Sequence, residues 1–168
     1  MKVYNSIQNK ILFLPDLQRR VTQWRIVHKK IVFTNGCFDI LHPGHIASLA
    51  EAANKGDYLV VGLNADVSVK KIKGDNRPVN DENSRALLLS SLSMVDAVVI
   101  FSEETPLEVI KSITPDVLVK GGDYKIENIA GAKEVIAAGG SVFLNPIVEG
   151  FSTTSIINKL GNTGKLMQ

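Results

Sequence analysis

Short apolar runs alternate with segments of helical spacing from residue 30 to the end of the chain. The pattern predicts strands at 30–34, 58–63, 96–101, 117–120 and 141–144, and helices at 43–54, 66–72, 82–93, 105–112, 130–138 and 153–160. Short strands that are apolar throughout are typical of a sheet covered on both faces. Each intervening segment is long enough to cross back over that sheet. The alternation therefore predicts a three-layer α/β fold with a parallel sheet of about five strands and right-handed crossovers.

A helical segment precedes this alternating region. Apolar residues recur at three- and four-residue spacing from Leu17 through Val21, Trp24 and Val27, after a Pro-Asp start signal, which predicts an amphipathic helix over 16–28. We expect Trp24 to be a core or dimer-interface residue. The predicted organisation is an N-terminal helical extension (1–29), one catalytic-type domain (30–160) and a flexible tail (161–168).

Composition restricts the class of protein. At 168 residues the chain can bury a core without disulfides, and its single cysteine, Cys37, is compatible with a reducing compartment. The sequence shows no apolar run of the roughly 20 residues needed to span a bilayer. It also shows no secretory signal, so we expect a cytoplasmic protein without a membrane partner.

Charge is distributed unevenly along the chain. Residues 1–30 carry seven Lys/Arg against one acid, whereas the rest carries 12 Lys/Arg against 16 Asp/Glu, a net charge of −4 with neutral histidines. A net-negative body is a poor surface for a polyanion. We therefore expect no nucleic-acid partner, and we interpret the basic N-terminal segment as a solvated helix face.

The loop after the first predicted strand has the features of a phosphate site. It reads GCFDILHPGH and leads into a predicted helix. Pro43 suits the first helical turn, Gly44 lets a ligand approach the backbone, and the free N–H groups of a helix N-terminus attract anions. His42 and His45, three residues apart, would lie on one face of that turn. They could both face the same anion.

Other informative segments also follow predicted strands. LNAD follows the second strand, VKGGDY the fourth and NPIVEGFSTT the fifth. In parallel α/β sheets ligands bind at the carboxyl ends of the strands, so these loops should meet at one site. No glycine-rich dinucleotide fingerprint and no Walker lysine motif occurs, which argues against an oxidoreductase or a P-loop NTPase.

Two further segments could bind phosphate. Lys70 and Lys73 share a helix face at i,i+3, and Arg77 extends this cationic segment. Their spacing alone does not decide between a phosphate site and a solvated charge run. Ser152, Thr153 and Thr154 open the last predicted helix, where hydroxyls and free N–H groups form a second anion pocket.

The ordered motifs resemble a known family. HPGH after GCFDIL matches the HxGH motif of the nucleotidyltransferase superfamily, which includes the cytidylyltransferases. DYLVVGLNAD, RPVNDENSRALLLSSLSMVDAVVIF, DVLVKGGDY and VEGFSTTSII resemble further family blocks in the same order, so the resemblance covers roughly residues 30–160. VKGGDY and GFSTTSII are most similar to the adenylyltransferase domain of bacterial ADP-heptose synthase. The family has a Rossmann-like fold.

The resemblance implies roles for individual residues. It implies charge stabilisation or triphosphate binding by His42, His45 and either Lys70 or Lys73. Expected nucleotide-binding residues are Thr34, Asn35, Gly36, Cys37, Phe38, Gly44, Gly121, Asp123, Ser152, Thr153 and Thr154. Expected substrate-binding residues are Asp39, Asn64, Arg77, Arg85 and Tyr124, with Arg85 alternatively bracing the fold. No set of protein metal ligands is visible, and triphosphate chemistry implies Mg²⁺ carried with ATP.

The resemblance also implies a reaction. We expect adenylyl transfer from ATP to D-glycero-D-manno-heptose 1-phosphate, giving ADP-heptose for lipopolysaccharide in a Gram-negative cytoplasm. The alternatives are a cytidylyltransferase acting on glycerol 3-phosphate and a non-catalytic nucleotide-binding protein. Glycerol-phosphate cytidylyltransferases carry arginines where this chain has Ser93 and Ile147. A homodimer is expected, with the heptose kinase of the pathway on a separate chain.

Overall fold

The computed structural model describes residues 2–122, 124–146 and 150–163. Its sheet has five parallel strands in the order β3-β2-β1-β4-β5. The strands are β1 (Ile31–Gly36), β2 (Tyr58–Asn64), β3 (Ala97–Phe101), β4 (Val117–Gly121) and β5 (Ser141–Asn145). All five predicted strands are confirmed, with ends that differ from the prediction by no more than two residues. The strand order reverses between β1 and β4, which makes their carboxyl ends the switch point where ligands bind in such sheets.

Eight helices occur among the described residues. They are α1 (Lys2–Gln8), α2 (Leu14–Ile26), α3 (Pro43–Ala53), α4 (Asp66–Lys73), α5 (Glu82–Ser90), α6 (Leu107–Ile113), α7 (Ala132–Ala137) and α8 (Thr153–Thr163), with a 3₁₀ turn at Ile126–Asn128. The prediction missed α1 and the 3₁₀ turn. Helix α8 continues three residues beyond its predicted end, and residues 164–168 of the predicted tail lie outside the described part of the chain.

Helix α5 is shorter than its predicted range of 82–93. Asp81 caps its start, accepting hydrogen bonds from the N–H groups of Asn83 and Ser84 at 2.9 and 3.0 Å. At the other end, the Ser91 hydroxyl donates to the Leu88 carbonyl at 2.7 Å. Serine side chains compete in this way with helical backbone bonds. This explains why the helix ends at Ser90 although the apolar periodicity continues.

Two apolar clusters cover the two faces of the sheet. One joins Leu17 of α2, Ile110 of α6 and Val135 of α7 to the strands. The other joins Leu49 of α3 and Leu89 of α5 to the opposite face. The three-layer architecture predicted from the alternating pattern is therefore confirmed.

Helix α2 contributes directly to this core. Leu17, Val21 and Trp24 are buried at i, i+4 and i+7, and the Trp24 ring stacks on Tyr58 with centroids 4.2 Å apart. The prediction that Val27 continues the buried stripe is wrong, because the helix ends at Ile26 and Val27 is 60% exposed.

The segment between α1 and α2 covers one edge of the sheet. Ile11 forms a parallel bridge with Val98 of β3. The Val98 N–H donates to the Lys10 carbonyl at 2.8 Å, and the Leu12 N–H donates to the Val98 carbonyl at 2.9 Å. None of the described helices is long and apolar enough to cross a membrane.

Candidate active site

A cavity of about 410 Å³ lies at the carboxyl ends of β1 and β4, where the strand order reverses. Its walls come from the β1–α3 loop, the start of α3, the end of α4, the end of β4 and the start of α8. The lining residues are Thr34, Asn35, Gly36, Cys37, Phe38, Asp39, His42, His45, Ser48, Lys73, Arg77, Lys120, Gly121, Tyr124, Phe151, Ser152, Thr153 and Thr154. The fold thus brings residues from both ends of the domain to one cavity.

The two histidines form a stacked pair at the start of α3. His42 is the N-cap residue, and its Nδ1 accepts a hydrogen bond from the His45 N–H at 3.3 Å. The ring centroids of His42 and His45 are 3.7 Å apart and the planes are inclined by 18°. Phe151 stacks on the outer side of His42 at 6.5 Å. Capping and anion binding are compatible, because the imidazoles line the cavity while Nδ1 of His42 holds the helix start.

Burial sets the protonation of this pair. It lowers the pKa of His45 to about 4, assisted by the neighbouring His42 and partly opposed by the Ile40 backbone. Burial also lowers the pKa of His42. The buried Nδ1 of His45 has no hydrogen bond of normal geometry within the described residues. In the free protein at neutral pH, the pair therefore presents neutral imidazoles with unused hydrogen-bonding capacity.

Gly44 is confined between the same rings. A Cβ built on Gly44 would lie 3.1 Å from the His42 ring and 3.3 Å from the Phe151 Cβ. Glycine at this position lets the α8 segment approach the histidine pair. The structure therefore adds a packing reason to the predicted role of Gly44 in close ligand approach.

Two lysines line the cavity from opposite sides. Lys73, at the end of α4, is a lining residue, whereas Lys70 lines neither this cavity nor the neighbouring one. This placement favours Lys73 over Lys70 as the phosphate-binding lysine that the spacing left open. Lys120 was missed as a site residue, although it belongs to the VKGGDY segment at the end of β4. Its Nζ donates to Asn35 Oδ1 at 3.2 Å and lies 5.7 Å from the Tyr124 ring centroid.

Burial also affects the charges around Cys37. Burial lowers the pKa of Lys120, and the nearby Cys37 thiol opposes that shift. Burial raises the pKa of Cys37, an effect opposed by the surrounding cations Lys73, Arg85, Lys120 and Arg77 in that order. A raised thiol pKa disfavours the nucleophilic thiolate. Cys37 therefore lines the site as a small, partly buried side chain without nucleophilic character.

Asp39 acts on the site through its neighbours. It is 1% exposed, and its carboxylate accepts bonds from Arg77 Nε at 2.5 Å and from the N–H groups of Val79 and Asn80 at 2.8 and 3.1 Å. The carboxylate thereby holds Arg77 at the cavity wall. Asp39 itself also lines the cavity, so its expected contact with substrate stays a prediction.

Arg85 is also internal. It is 1% exposed, and its guanidinium donates to the carbonyls of Asn80, Cys37 and Asn64 and to Asp66 Oδ1, at 2.6–2.9 Å. It does not line either cavity at this end of the sheet. Its predicted substrate contact is therefore wrong, and the alternative bracing role is correct: Arg85 ties the loops after β1 and β2 to α5.

The start of α8 forms the opposite wall. Ser152 Oγ accepts a hydrogen bond from the Ser155 N–H at 3.0 Å, which caps the helix that begins at Thr153. Thr153 and Thr154 line the cavity beside it. Two helix N-termini, those of α3 and α8, therefore border one cavity. Two sequence expectations, for Asp123 and Ile147, fall outside the described residues.

A second cavity of about 310 Å³ adjoins the first. Its walls share Asn35, Gly36, Cys37, Lys73, Lys120 and Tyr124 with the first cavity and add Asn64, Ile72, Glu104, Thr105, Pro106, Asn128, Ile129 and Ala130. Asn64, expected to bind substrate, belongs to this second cavity only. Within the described residues no group of three or more His, Cys, Asp or Glu side chains could hold a metal ion.

Comparison with known proteins agrees with this fold and site. The Cytidylyltransferase-like family model matches residues 33–159, so the chain belongs to that family of nucleotidyltransferases. The family resemblance drawn from the HxGH motif and the ordered segments is confirmed.

Among curated relatives, the chain is 52% identical over 152 residues to the "Bifunctional protein HldE" of Koribacter versatilis (strain Ellin345), covering 90% of this chain and 31% of the relative. It is 56% identical over 146 residues to the protein of the same name from Hyphomonas neptunium (strain ATCC 15444), covering 87% of this chain and 30% of that relative. The chain thus spans about a third of the length of these curated relatives.

Solved structures give the same picture. The lipopolysaccharide core biosynthesis protein from Thermoplasma volcanium GSS1 has a TM-score of 0.57 at 32% identity, covering 71% of this chain and 97% of that one. Pantoate-beta-alanine ligase from Francisella tularensis, complexed with beta-gamma ATP and beta-alanine, has a TM-score of 0.57 at 15% identity. The likeness covers 81% of this chain and 66% of that one. The second likeness concerns the fold alone.

Proposed function

We propose that the chain transfers AMP from ATP to D-glycero-D-manno-heptose 1-phosphate, releasing pyrophosphate and forming ADP-heptose. The observation that carries this proposal is the first cavity, where two helix N-termini, the stacked histidines and two lysines surround one space. That arrangement suits a triphosphate and a second phosphate together. The choice of acceptor rests on relatives more than 50% identical to this chain and named HldE.

The reaction needs one bond to form and one to break. A phosphate oxygen of the sugar attacks the α-phosphorus in line, and the bond from that phosphorus to the bridging oxygen of pyrophosphate breaks. Both electrons of the broken bond leave with pyrophosphate, so no covalent enzyme intermediate is required. Such a transfer depends on positioning and on stabilising charge that develops at the phosphorus oxygens.

Residues on different walls of the cavity bind different phosphate groups. His42, His45 and the N-terminus of α3 face the triphosphate and donate hydrogen bonds to its oxygens. Ser152, Thr153 and Thr154 at the start of α8 bind the phosphates that depart. Lys73 and Lys120 stand on the walls common to both cavities, where the acceptor phosphate must meet the α-phosphate.

Magnesium would accompany the nucleotide. The Asp39 carboxylate already accepts bonds from Arg77, Val79 and Asn80, so it has little remaining capacity to bind an ion. An ion held mainly by triphosphate oxygens and water fits this donor set, because Mg²⁺ keeps several waters and binds substrate phosphates. When bound, it supplies charge neutralisation to the departing pyrophosphate.

The biological setting is part of the same proposal. The chain would work as a homodimer in the cytoplasm of a Gram-negative bacterium, on a sugar phosphate made by a heptose kinase activity. The in-class alternative, cytidylyl transfer to glycerol 3-phosphate, shares the phosphate chemistry and differs in base and acceptor. A non-catalytic nucleotide-binding protein is disfavoured by the complete set of histidine, lysine and hydroxyl groups around one cavity.

The direct test is pyrophosphate release, measured with four nucleoside triphosphates, each against a panel of sugar and polyol phosphates. We expect turnover with ATP and the heptose 1-phosphate to exceed every other pair, and the His45→Ala variant to provide the background rate. Turnover with CTP and glycerol 3-phosphate, without turnover of ATP and the heptose phosphate, would contradict the assignment. Absence of pyrophosphate release from every pair would favour the non-catalytic alternative.

A further inference from the structure

The second cavity has a charge pattern of its own. Lys73 and Lys120 stand on the wall it shares with the first cavity, and the groups found only in the second cavity include Asn64, Glu104 and Asn128. Glu104 is the one carboxylate that lines it among the described residues. The cavity therefore runs from ammonium groups at one end to hydrogen-bond acceptors and amides at the other. A phosphate fits the first end, and hydroxyl groups fit the second.

Asn64 supplies a fixed acceptor at the second end. The residue is 4% exposed, and its Nδ2 donates to the Ser68 hydroxyl at 3.0 Å. That hydroxyl in turn donates to the Glu103 carbonyl at 3.1 Å, so its proton is not available to Asn64. A hydroxyl has only one proton to donate, so the Asn64 amide must present its N–H to Ser68. The orientation of the amide is therefore determined by the bonds around it.

This orientation leaves Oδ1 as the atom of the Asn64 amide that can accept a bond from a ligand. No hydrogen bond to Asn64 Oδ1 occurs within the described residues, although the side chain lines the cavity and is nearly buried. Oδ1 therefore has free capacity to accept a hydrogen bond from a donor on a bound ligand. A sugar hydroxyl is such a donor. Glu104, on the same wall, adds a charged acceptor that can receive two hydroxyl bonds.

We infer that the second cavity is the acceptor site, that it takes a polyhydroxylated sugar phosphate, and that Asn64 and Glu104 select the sugar by accepting bonds from its hydroxyls. This inference rests on the proposed function, since it identifies which part of the site holds the second substrate. Ser68 is then a positioning residue, because it holds the Asn64 amide without lining the cavity.

Glu104 gives the sharpest test, because its removal should weaken binding of the sugar phosphate without weakening binding of inorganic phosphate. The side chain is exposed, so the Glu104→Gln variant should fold normally. Removing the carboxylate should weaken binding of heptose 1-phosphate about tenfold, the scale of a charged hydrogen bond. The same change should leave inorganic phosphate bound equally or more tightly, because a repelling charge near the lysines is lost. ATP binding should be unchanged.

The measurement is calorimetric titration of the full chain with three probes: heptose 1-phosphate, inorganic phosphate and a non-hydrolysable ATP analogue. Glu127→Gln is the matched control, since Glu127 is an exposed acid beside Asn128 that does not line the cavity. Asn64→Ala and Ser68→Ala test the amide, with melting temperature recorded for each. We expect weaker sugar-phosphate binding in both and unchanged ATP binding.

Outcomes separate this inference from the proposed function. Equal weakening of heptose 1-phosphate and inorganic phosphate in Glu104→Gln, or no weakening of either, would overturn the inference. So would a native chain that binds inorganic phosphate but no sugar phosphate. Sugar-phosphate binding that depends on Glu104, without pyrophosphate release from ATP, would support the acceptor site while contradicting the proposed reaction.

Discussion

The two edges of the sheet use polar residues in opposite ways. At the amino edge, Asp57, Asp96 and Asp116 each stand one residue before a strand. Each accepts a hydrogen bond from a backbone N–H at the start of the neighbouring strand, at 2.7–2.8 Å. At the carboxyl edge, His45 Nδ1 and Asn64 Oδ1 have no hydrogen bond of normal geometry within the described residues, and both residues lie near two lysines.

The difference explains where stability and binding are located. Paired carboxylates at the amino edge satisfy backbone groups that would otherwise be buried without partners, which stabilises the fold. The carboxyl edge keeps cations and unpaired polar atoms around a cavity, an arrangement that suits the proposed sugar-phosphate and triphosphate ligands. Mutations at the first edge should therefore change stability, and mutations at the second should change catalysis.

The largest effect is expected behind the amino edge, at Trp24. Its ring is buried and stacks on Tyr58 at the start of β2. Trp24→Ala should lower the free energy of unfolding by about 3–5 kcal/mol, the usual cost of truncating a large buried side chain. Urea denaturation measures this loss, and Trp24→Phe should recover part of it. Unchanged stability of Trp24→Ala would mean that α2 is dispensable to the core.

At the carboxyl edge the largest effect should come from His45. His45→Ala should reduce kcat by a factor of about 10²–10³, the scale of losing one preorganised group that stabilises developing charge. The melting temperature should change little, because the ring lines a cavity. His28→Asn, at an exposed histidine remote from the cavity, is the control. A His45→Ala enzyme with near-native kcat would reduce the residue to a structural role.

Two lysines of helix α4, Lys70 and Lys73, test the role of the carboxyl edge within one helix. Lys73 lines the cavity and Lys70, one turn earlier, does not. Lys73→Ala should raise KM for substrate about ten- to a hundredfold, as expected for a lost charge-assisted bond. Lys70→Ala should leave KM within about twofold, as for an exposed charge. Steady-state kinetics on both variants decide the matter, and equal effects would refute the assignment to Lys73.

Asp116 tests the amino edge with a smaller change. Its Oδ2 accepts the Ile31 N–H at 2.7 Å where β1 begins. Asp116→Ala should cost about 1–2 kcal/mol of stability by leaving that N–H without its partner, while kcat stays native. Asp75→Ala, at an exposed aspartate, is the control for chemical denaturation. A fall in kcat without a fall in stability would reverse the proposed division between the edges.

Near neutral pH, the smallest effect is the pH dependence of stability. The pKa of His45 is about 4 in the folded chain, compared with 6.5 for an unperturbed histidine. Between these values the unfolded chain binds the extra proton, so stability should fall as pH decreases from about 6.5 towards 4. His45→Gln should show a shallower decline in denaturant titrations at several pH values. Equal slopes for the two proteins would contradict the low pKa.

The sheet was predictable because both of its faces are buried. Continuous apolar runs such as 58–63 and 117–120 identify strands directly. Helix α1 was missed because none of its described residues is buried, so its sequence carries no apolar stripe. Val27 fits the spacing of α2 but lies beyond its last turn, and spacing alone does not locate a helix end.

The site was predictable where a motif coincides with a strand end. His42, His45 and the Ser152–Thr154 segment were found because helix starts follow strands there. Lys120 was missed because it is a single cation near the end of an otherwise apolar strand. Arg85 was assigned partly to substrate because a sequence does not reveal that a guanidinium is buried among carbonyl groups.

The bridge between Ile11 and Val98 also limits how copies of the chain can associate. An uncovered edge strand offers N–H and C=O groups to any other chain in extended conformation, and it can seed aggregation. Here the segment before α2 occupies both backbone groups of Val98: the Val98 N–H donates to the Lys10 carbonyl, and the Val98 carbonyl accepts from the Leu12 N–H. At Val98, pairing of β3 with a second copy is thereby blocked by the chain itself.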